Sequence, residues 1–425
     1  MKILIKNGHV VDPANNINGV MDVLVQDGCI AKVAKTIAEK EAHNYDAAGK
    51  IVMPGLVDMH VHLREPGRED KETILTGTKA ALKGGFTSIL AMPNTTPAID
   101  CVEHVQLLRR LIEKDAQVSV FVCAAITRQR AGQELVDITA LKKEGVVAIS
   151  DDGCSVDNDE IMTQAFKKAA QEHVAVICHS EDKGMAANGV INLGFVSTQL
   201  GLKGISRESE YERVKRDIDL AASMHAAVHI AHVSTRESVD IIAAAKQKGI
   251  RVTAETAPHY FALDEEAVLG YDTNMKMNPP LREAQDVAAI RQALKDGVID
   301  AIASDHAPHT ENEKEIEFDR AEFGVIGLET SLAVAVTELV EKGILNWAQL
   351  VERMSLNPAQ ILGIDKGTLG ISKEADIVIF DPNKEWTVEK HSFVSLSKNS
   401  PFLGRVMKGV VERVILGGKL VYQIA

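Results

Sequence analysis

Eight short apolar segments, most of them ending in polar residues, recur between amphipathic stretches through the middle of the chain, and this alternation constrains the fold more than any other feature. They read IVMPGLVDMHVH, FTSILAMPN, VSVFVCAA, VVAISDDG, VAVICHSED, AVHIAHVS, RVTAETAPHY and DAIASDHAPH. Between them lie helical segments such as KETILTGTKAALKGG and TRESVDIIAAAKQKG. Strands alternating with helices predict a parallel sheet with helical crossovers, and eight such units predict a (β/α)8 barrel over residues 53–365. A doubly wound open sheet is the alternative. No glycine-rich phosphate fingerprint follows the first strand, however, and neither GxxxxGK(S/T) nor GxSxG occurs.

The ends have another character. KILIKNGHVV and DVLVQDGCIAKVA near the start, and DIVIFDP and GRVMKGVVERVILGGKLVY near the finish, show strand-like alternation broken by Asn-Gly and Asp-Gly turns. Residues 1–52 and 366–425 are therefore expected to build one small β-sandwich domain from both termini.

In a strand, residues i and i+2 share a face, so His60 and His62 both point inward at the C-terminal end of the first strand. Barrel enzymes assemble their active sites at that end. The fourth segment ends in Asp151-Asp152, the fifth in His179, the sixth in His232 and the eighth in Asp305. One such histidine would read as a hydrogen-bonded core residue. Polar groups at five strand ends read instead as a metal site. Imidazole and carboxylate without thiolate suit Zn²⁺, with Mn²⁺, Fe²⁺ or Co²⁺ as alternatives. Six ligands exceed the three of a mononuclear catalytic site and point to two metals roughly 3.5–4 Å apart, bridged by a carboxylate. Spacing leaves both Asp151 and Asp152 open as that bridge.

Arg64, Asn94, Asn278 and His309 fall around the same rim, and an arginine fork with amide partners suits a carboxylate. The formal net charge is -13, which argues against nucleic acid or an anionic membrane as a general partner. A site for an anionic substrate must then concentrate its cations locally. The five cysteines have no CxxC spacing, which fits a reducing compartment, and Cys154 and Cys178 read as packing residues. With no secretory leader and no apolar run of membrane-spanning length, a soluble, cytoplasmic protein is expected. His259 reads as packing or as support for the site, and the acidic run 311–322 as a solvated face, with a lid as the lesser reading. Residues 151–160 are acidic but lack EF-hand spacing.

PGLVDMHVHLREPG, AMPNTTP, SDDG, CHSED, AHVST, ETAPHY, MNPPLR, SDHAPH and FGVIGLET, taken in order, resemble the class I dihydroorotases of the amidohydrolase superfamily. The resemblance runs to the NPAQILGI and KGTLGISKEADIVIFDP stretches near the end. It implies that His60, His62 and Asp305 hold a first zinc, that His179 and His232 hold a second, and that Asp152 bridges them. It implies that Arg64 and Asn94 bind the substrate carboxylate, that His62, Asn278, His309 and the Phe323–Gly324 backbone complete the pocket, and that Asp305 is the catalytic acid/base.

Hydantoinases and allantoinases resemble this pattern too, but typically carry a carboxylated lysine on the fourth strand, where this chain has VVAISDDG. The implied reaction is the reversible cyclisation of N-carbamoyl-L-aspartate to L-dihydroorotate in pyrimidine (UMP) biosynthesis, by attack of metal-activated water on the ring amide. The alternatives are hydrolysis of another cyclic amide, or an inactive partner of aspartate carbamoyltransferase. The resemblance further implies a homodimer and allows association with that carbamoyltransferase.

Overall fold

The computed structural model describes residues 2–424. The eight expected segments form one parallel sheet in sequence order. Its strands are Leu56–Val61, Phe86–Ala91, Ser119–Ala124, Val146–Ile149, Ala175–Cys178, Val228–Ile230, Val252–Thr256 and Ala301–Ile302. The sheet curls into a nearly closed barrel. Where first and last strands meet, His62 N–H donates to His306 O at 2.9 Å and Ser304 N–H donates to the buried Asp58 carboxylate at 3.1 Å.

The crossover helices bury one stripe each. Asp159–Glu172 turns Met162, Ala165, Phe166 and Ala169 inward, a spacing of three and four residues that places them on one face. Asn158 caps its start by accepting from Glu160 N and Ile161 N, and His173 ends it in the left-handed region. Each large side chain of such a stripe contributes roughly 1.5–3 kcal/mol of transfer free energy.

Both termini meet in one mostly antiparallel sheet. Ile51–Pro54 is the seam, pairing parallel with Lys2–Asp12 and antiparallel with Ile377–Thr387. One face packs Ile3, Ile5, Val23, Val25 and Ile379 into a core of its own. From the other, Met53, Val378, Phe380 and Val411 join the core that surrounds the barrel.

Three local features differ from the reading of the sequence. The first apolar segment is two strands: Ile51–Pro54 belongs to the terminal sheet and Leu56–Val61 to the barrel. They part at Gly55, where a β-carbon would overlap the Thr87 side chain. Asn7-Gly8 is a bulge inside a continuous strand, whereas Asp27-Gly28 is a true hairpin turn, both residues having positive φ. The third feature lies in the first barrel strand. Asp58 pairs with Ile89 and Val61 with Ala91, so Met59 and His60 together oppose Leu90. Val57 and Met59 pack in the inner cluster and Val61 and Leu63 in the outer one. The bulge thus switches the inward face from odd to even residues, and so aims His60 and His62 at the centre.

Among the described residues, no helix is long and apolar enough to cross a membrane.

Candidate active site and metal centre

The strand ends bring the six expected ligands together. His60 Nε2 lies 3.3 Å from Asp152 Oδ1 and 3.7 Å from Asp305 Oδ1. His62 Nε2 lies 3.2 Å from Asp305 Oδ1 and 3.5 Å from Asp152 Oδ2. On the far side, His179 Nδ1 is 2.8 Å from His232 Nε2, and each is 3.6 Å from Asp152 Oδ1. Two groups of donor atoms result, His60–His62–Asp305 and His60–Asp152–His232, with the atoms of each within 4.8 Å of one another. Asp152 faces both sides. Its neighbour Asp151 is committed elsewhere, accepting from Ile126 N, Thr127 N and the Thr127 hydroxyl. Of the two aspartates left open by spacing, Asp152 is the one that faces the histidines.

The chemistry of this donor set fits a divalent cation. His60 Nε2 and Asp152 Oδ1 are buried and have no hydrogen-bond partner, a costly arrangement unless a cation takes both. The electrostatics agree. Burial works against the charged forms, yet the imidazoles of His60, His179 and His232 hold Asp152 well below the usual carboxylate range. Asp305 is lowered in the same way against burial, mainly by His60 and His62. In return, Asp152 and Glu181 raise His179 to about 10 despite its burial. These carboxylates need positive charge between them.

Arg64 (φ 62), His232 (φ 35) and Asp305 (φ 47) all sit in the left-handed region. For residues other than glycine this costs of order 1–3 kcal/mol each, and such strain concentrates at functional sites.

Above the centre opens a cavity of about 370 Å³, lined among others by His62, Arg64, Asn94, Asn278, His309 and the Phe323–Gly324 segment. Arg64 is half-buried, its desolvation lowers the guanidinium to about 10, and its Nε–H donates to Pro308 O at 3.1 Å. Asn94 Oδ1 accepts from His62 Nδ1–H at 2.8 Å, which leaves His62 Nε2 as a lone pair facing the centre. His179, helped by the nearby Asn278 amide, holds the Glu181 carboxyl down at about 2 against burial. His309 Nε2 lies 2.8 Å from Phe323 O. All the expected pocket residues therefore share one wall or rim.

Several supporting residues escaped the sequence reading. Glu255 accepts from His60 Nδ1–H at 2.7 Å, and Lys71 lies 3.0 Å from His309 Nδ1. The acidic run 311–322 is not simply a solvated face. Glu313 pairs with Arg68 and Lys71, and Lys314 is buried, donating to the carbonyls of Lys276, Glu322 and Gly324. The one available signal was Glu255, a carboxylate inside the largely apolar RVTAETAPHY segment. His259 is buried, and that burial pushes it down to about 4. Cys178 is buried, and Cys154 Sγ accepts from Arg130 at 3.4 Å. Asp100, Cys101 and His104 also cluster, but Asp100 and His104 are spent on local hydrogen bonds, including those to Gln129 N and Ala98 O.

A family model described as dihydro-orotase-like matches residues 49–238. A dihydroorotase from Elusimicrobium minutum is 53% identical over 420 residues, spanning 99% of this chain and 97% of its own. One from Geobacter metallireducens is 50% identical over 424 residues and spans 100% of both. Among solved structures, the L-hydantoinase (dihydropyrimidinase) of Arthrobacter aurescens has a TM-score of 0.90 at 26% identity, over 99% of this chain and 96% of that one. The dihydropyrimidinase of Brevibacillus agri gives 0.87 at 25% identity, over 100% and 95%. Barrel, terminal sheet and relatives define an enzyme of the cyclic amide hydrolase class. Within that class, hydantoinases share the fold at low identity, while dihydroorotases match half of all positions along the whole length. The chain belongs to the dihydroorotase family.

Proposed function

We propose that this dihydroorotase interconverts N-carbamoyl-L-aspartate and L-dihydroorotate, a step of pyrimidine biosynthesis, at a zinc pair held by the six strand-end residues. The observation that carries the zinc pair is the buried, unpartnered His60 Nε2 beside Asp152 Oδ1, with a donor group on either side. His60, His62 and Asp305 would hold one ion, His179 and His232 the other, and Asp152 both. Bound there, the metals would supply Lewis acidity for the ring carbonyl and for a water near neutral pH.

The chain's own residues do the rest. Asp305, held ionised by His60 and His62 against burial, accepts the proton of the attacking water and delivers it to the ring nitrogen as the amide bond breaks. In the closing direction it takes the proton of the ureido nitrogen. Arg64 and His309 bind the carboxylate that does not react. Asn94 assists, because its Oδ1 is occupied by His62 and its amide N–H groups remain to donate. Asn278 and the Phe323–Gly324 backbone close the pocket and orient the ring.

The hydantoinase-like structures make a hydantoin the competing substrate. The cationic wall of Arg64 and Lys71 favours a carboxylated ring, and Asp152 stands where the fourth strand has no lysine. Turnover of L-dihydroorotate should vanish on chelation and return with zinc, and should exceed turnover of hydantoin and allantoin. Asp305→Asn is expected to lose at least about 10²-fold in kcat while remaining folded. Near-native turnover by that variant would remove Asp305 from the chemistry. The proposal extends to a cytoplasmic homodimer of two-domain subunits that can associate with aspartate carbamoyltransferase, checked by light scattering, limited proteolysis and co-elution.

A further inference from the structure

Lys71 is buried, and its ammonium is aimed at the back of His309. Nζ lies 3.0 Å from His309 Nδ1 and 2.9 Å from Glu313 Oε1. An ammonium has only donors, so Nδ1 must offer its lone pair. Burial, with Arg64, Lys71 and Lys314 nearby, keeps the ring neutral against the opposing pull of Glu313. The single ring proton then sits on Nε2, where Phe323 O accepts it at 2.8 Å.

This has a consequence at the mouth of the cavity. Arg64 Nη2 lies 3.3 Å from His309 Nε2. With the proton on Nε2, that contact is donor against donor. An acceptor oxygen entering beside the pair takes a bond from Arg64 and shares the Nε2 proton with Phe323 O, and a substrate carboxylate is such an acceptor.

Removing the ammonium would reverse the ring. Glu313 Oε2 is 3.6 Å from Nδ1, near enough to take an Nδ1–H once Lys71 no longer occupies that nitrogen. Nε2 would then carry the lone pair, accept from Arg64, and repel a carboxylate.

We propose that Lys71 is a positioning residue for substrate binding: by donating to Nδ1 it fixes His309 as the Nε2–H tautomer, which with Arg64 forms the carboxylate clamp. The inference rests on the clamp reading given under Proposed function.

The test uses the zinc-loaded full-length enzyme with ¹⁵N-labelled histidine. In the unchanged protein, ring NMR should show His309 with an unprotonated Nδ1 and a protonated Nε2. Lys71→Met is expected to exchange the two. It should raise the KM for L-dihydroorotate about tenfold with little change in kcat, the pattern of lost uniform binding. Binding of dihydrouracil, the same ring without the carboxylate, should be unaffected. The double variant K71M/E313Q removes the carboxylate that would take the Nδ1 proton and is expected to recover the Nε2–H form and most of the affinity. If K71M does not fold, Lys71→Gln, a shorter neutral donor, is read in the same way and should give a smaller effect. An unchanged tautomer in the folded variant overturns the proposal, whatever happens to KM. A reversed tautomer with unchanged KM overturns it from the other side, by removing His309 from the clamp.

Discussion

Glu255 lies buried between two imidazoles, Oε1 2.7 Å from His60 Nδ1 and Oε2 3.4 Å from His229 Nε2. Despite its burial, His229 and His60 hold its carboxyl down at about 2, so it stays ionised. By accepting the Nδ1 proton it leaves His60 Nε2 as the lone pair that faces Asp152. It also orients a ring that both donor groups share. Outer partners of this kind typically change metal affinity by about 10–100-fold. Glu255→Gln keeps the shape and removes the charge. It is expected to weaken zinc by that order in a chelator competition, with the fold intact by circular dichroism. An unchanged affinity would reduce Glu255 to a packing residue.

At the scale of elements, the strands were legible because their apolar runs are short, evenly spaced and broken by helical periodicity. The candidate ligands could be picked out because each lies where a strand hands over to its loop. What escaped depends on contacts far apart in sequence. No local pattern marks the boundary at Gly55, since both halves of IVMPGLVDMHVH are apolar and only Thr87, on the next strand, forbids a β-carbon there. The bulge at Met59-His60 is likewise a property of the pairing with Leu90. Strict alternation gave the right direction for His60 and His62 but would have turned Val57 and Met59 outward. Lys71 and Lys314 were illegible because burial of a lysine is set by tertiary structure.

Lys314 carries a prediction of its own at this scale. Burial pushes it down to about 7, and it holds the carbonyls of Lys276, Glu322 and Gly324 together. Lys314→Met takes a donor from all three: Lys276 O and Gly324 O keep Gly324 N and Asn399 Nδ2, while Glu322 O is left without one, at a cost of about 1–3 kcal/mol. Limited proteolysis should then cut within 311–324 faster, and the KM for L-dihydroorotate should rise. Unchanged cleavage and unchanged KM would show that the rim holds without it.

Across the whole molecule, the C-terminal part of the chain does more than pair with the N-terminal strands. Between Ile377–Thr387 and Val406–Leu416 the chain leaves the sheet and crosses to the barrel rim. There Ser397 Oγ donates to Lys71 O, and Val394 N and Ser395 N donate to Glu329. Asn399 reaches furthest: its Oδ1 accepts from His309 N at 3.2 Å, and its Nδ2 donates to Ala307 O and Gly324 O at 3.2 and 3.1 Å. One side chain from the far end of the sequence therefore ties together the backbone of His309, the proposed clamp residue, and the Gly324 wall. In a protein of net charge -13, the local cations of this rim work only if their geometry holds. Asn399→Ala breaks all three bonds and leaves buried backbone groups unpaired, so it is expected to cost about 1–3 kcal/mol of stability. Binding should suffer more than chemistry, because none of these three bonds reaches Asp305 itself and the five other proposed metal ligands hang on other strands. The measurable outcome is a raised KM for L-dihydroorotate, with kcat and zinc content near those of the unchanged enzyme. A variant that instead lost kcat or zinc while keeping its KM would show the C-terminal crossing to support the metal centre rather than the substrate clamp.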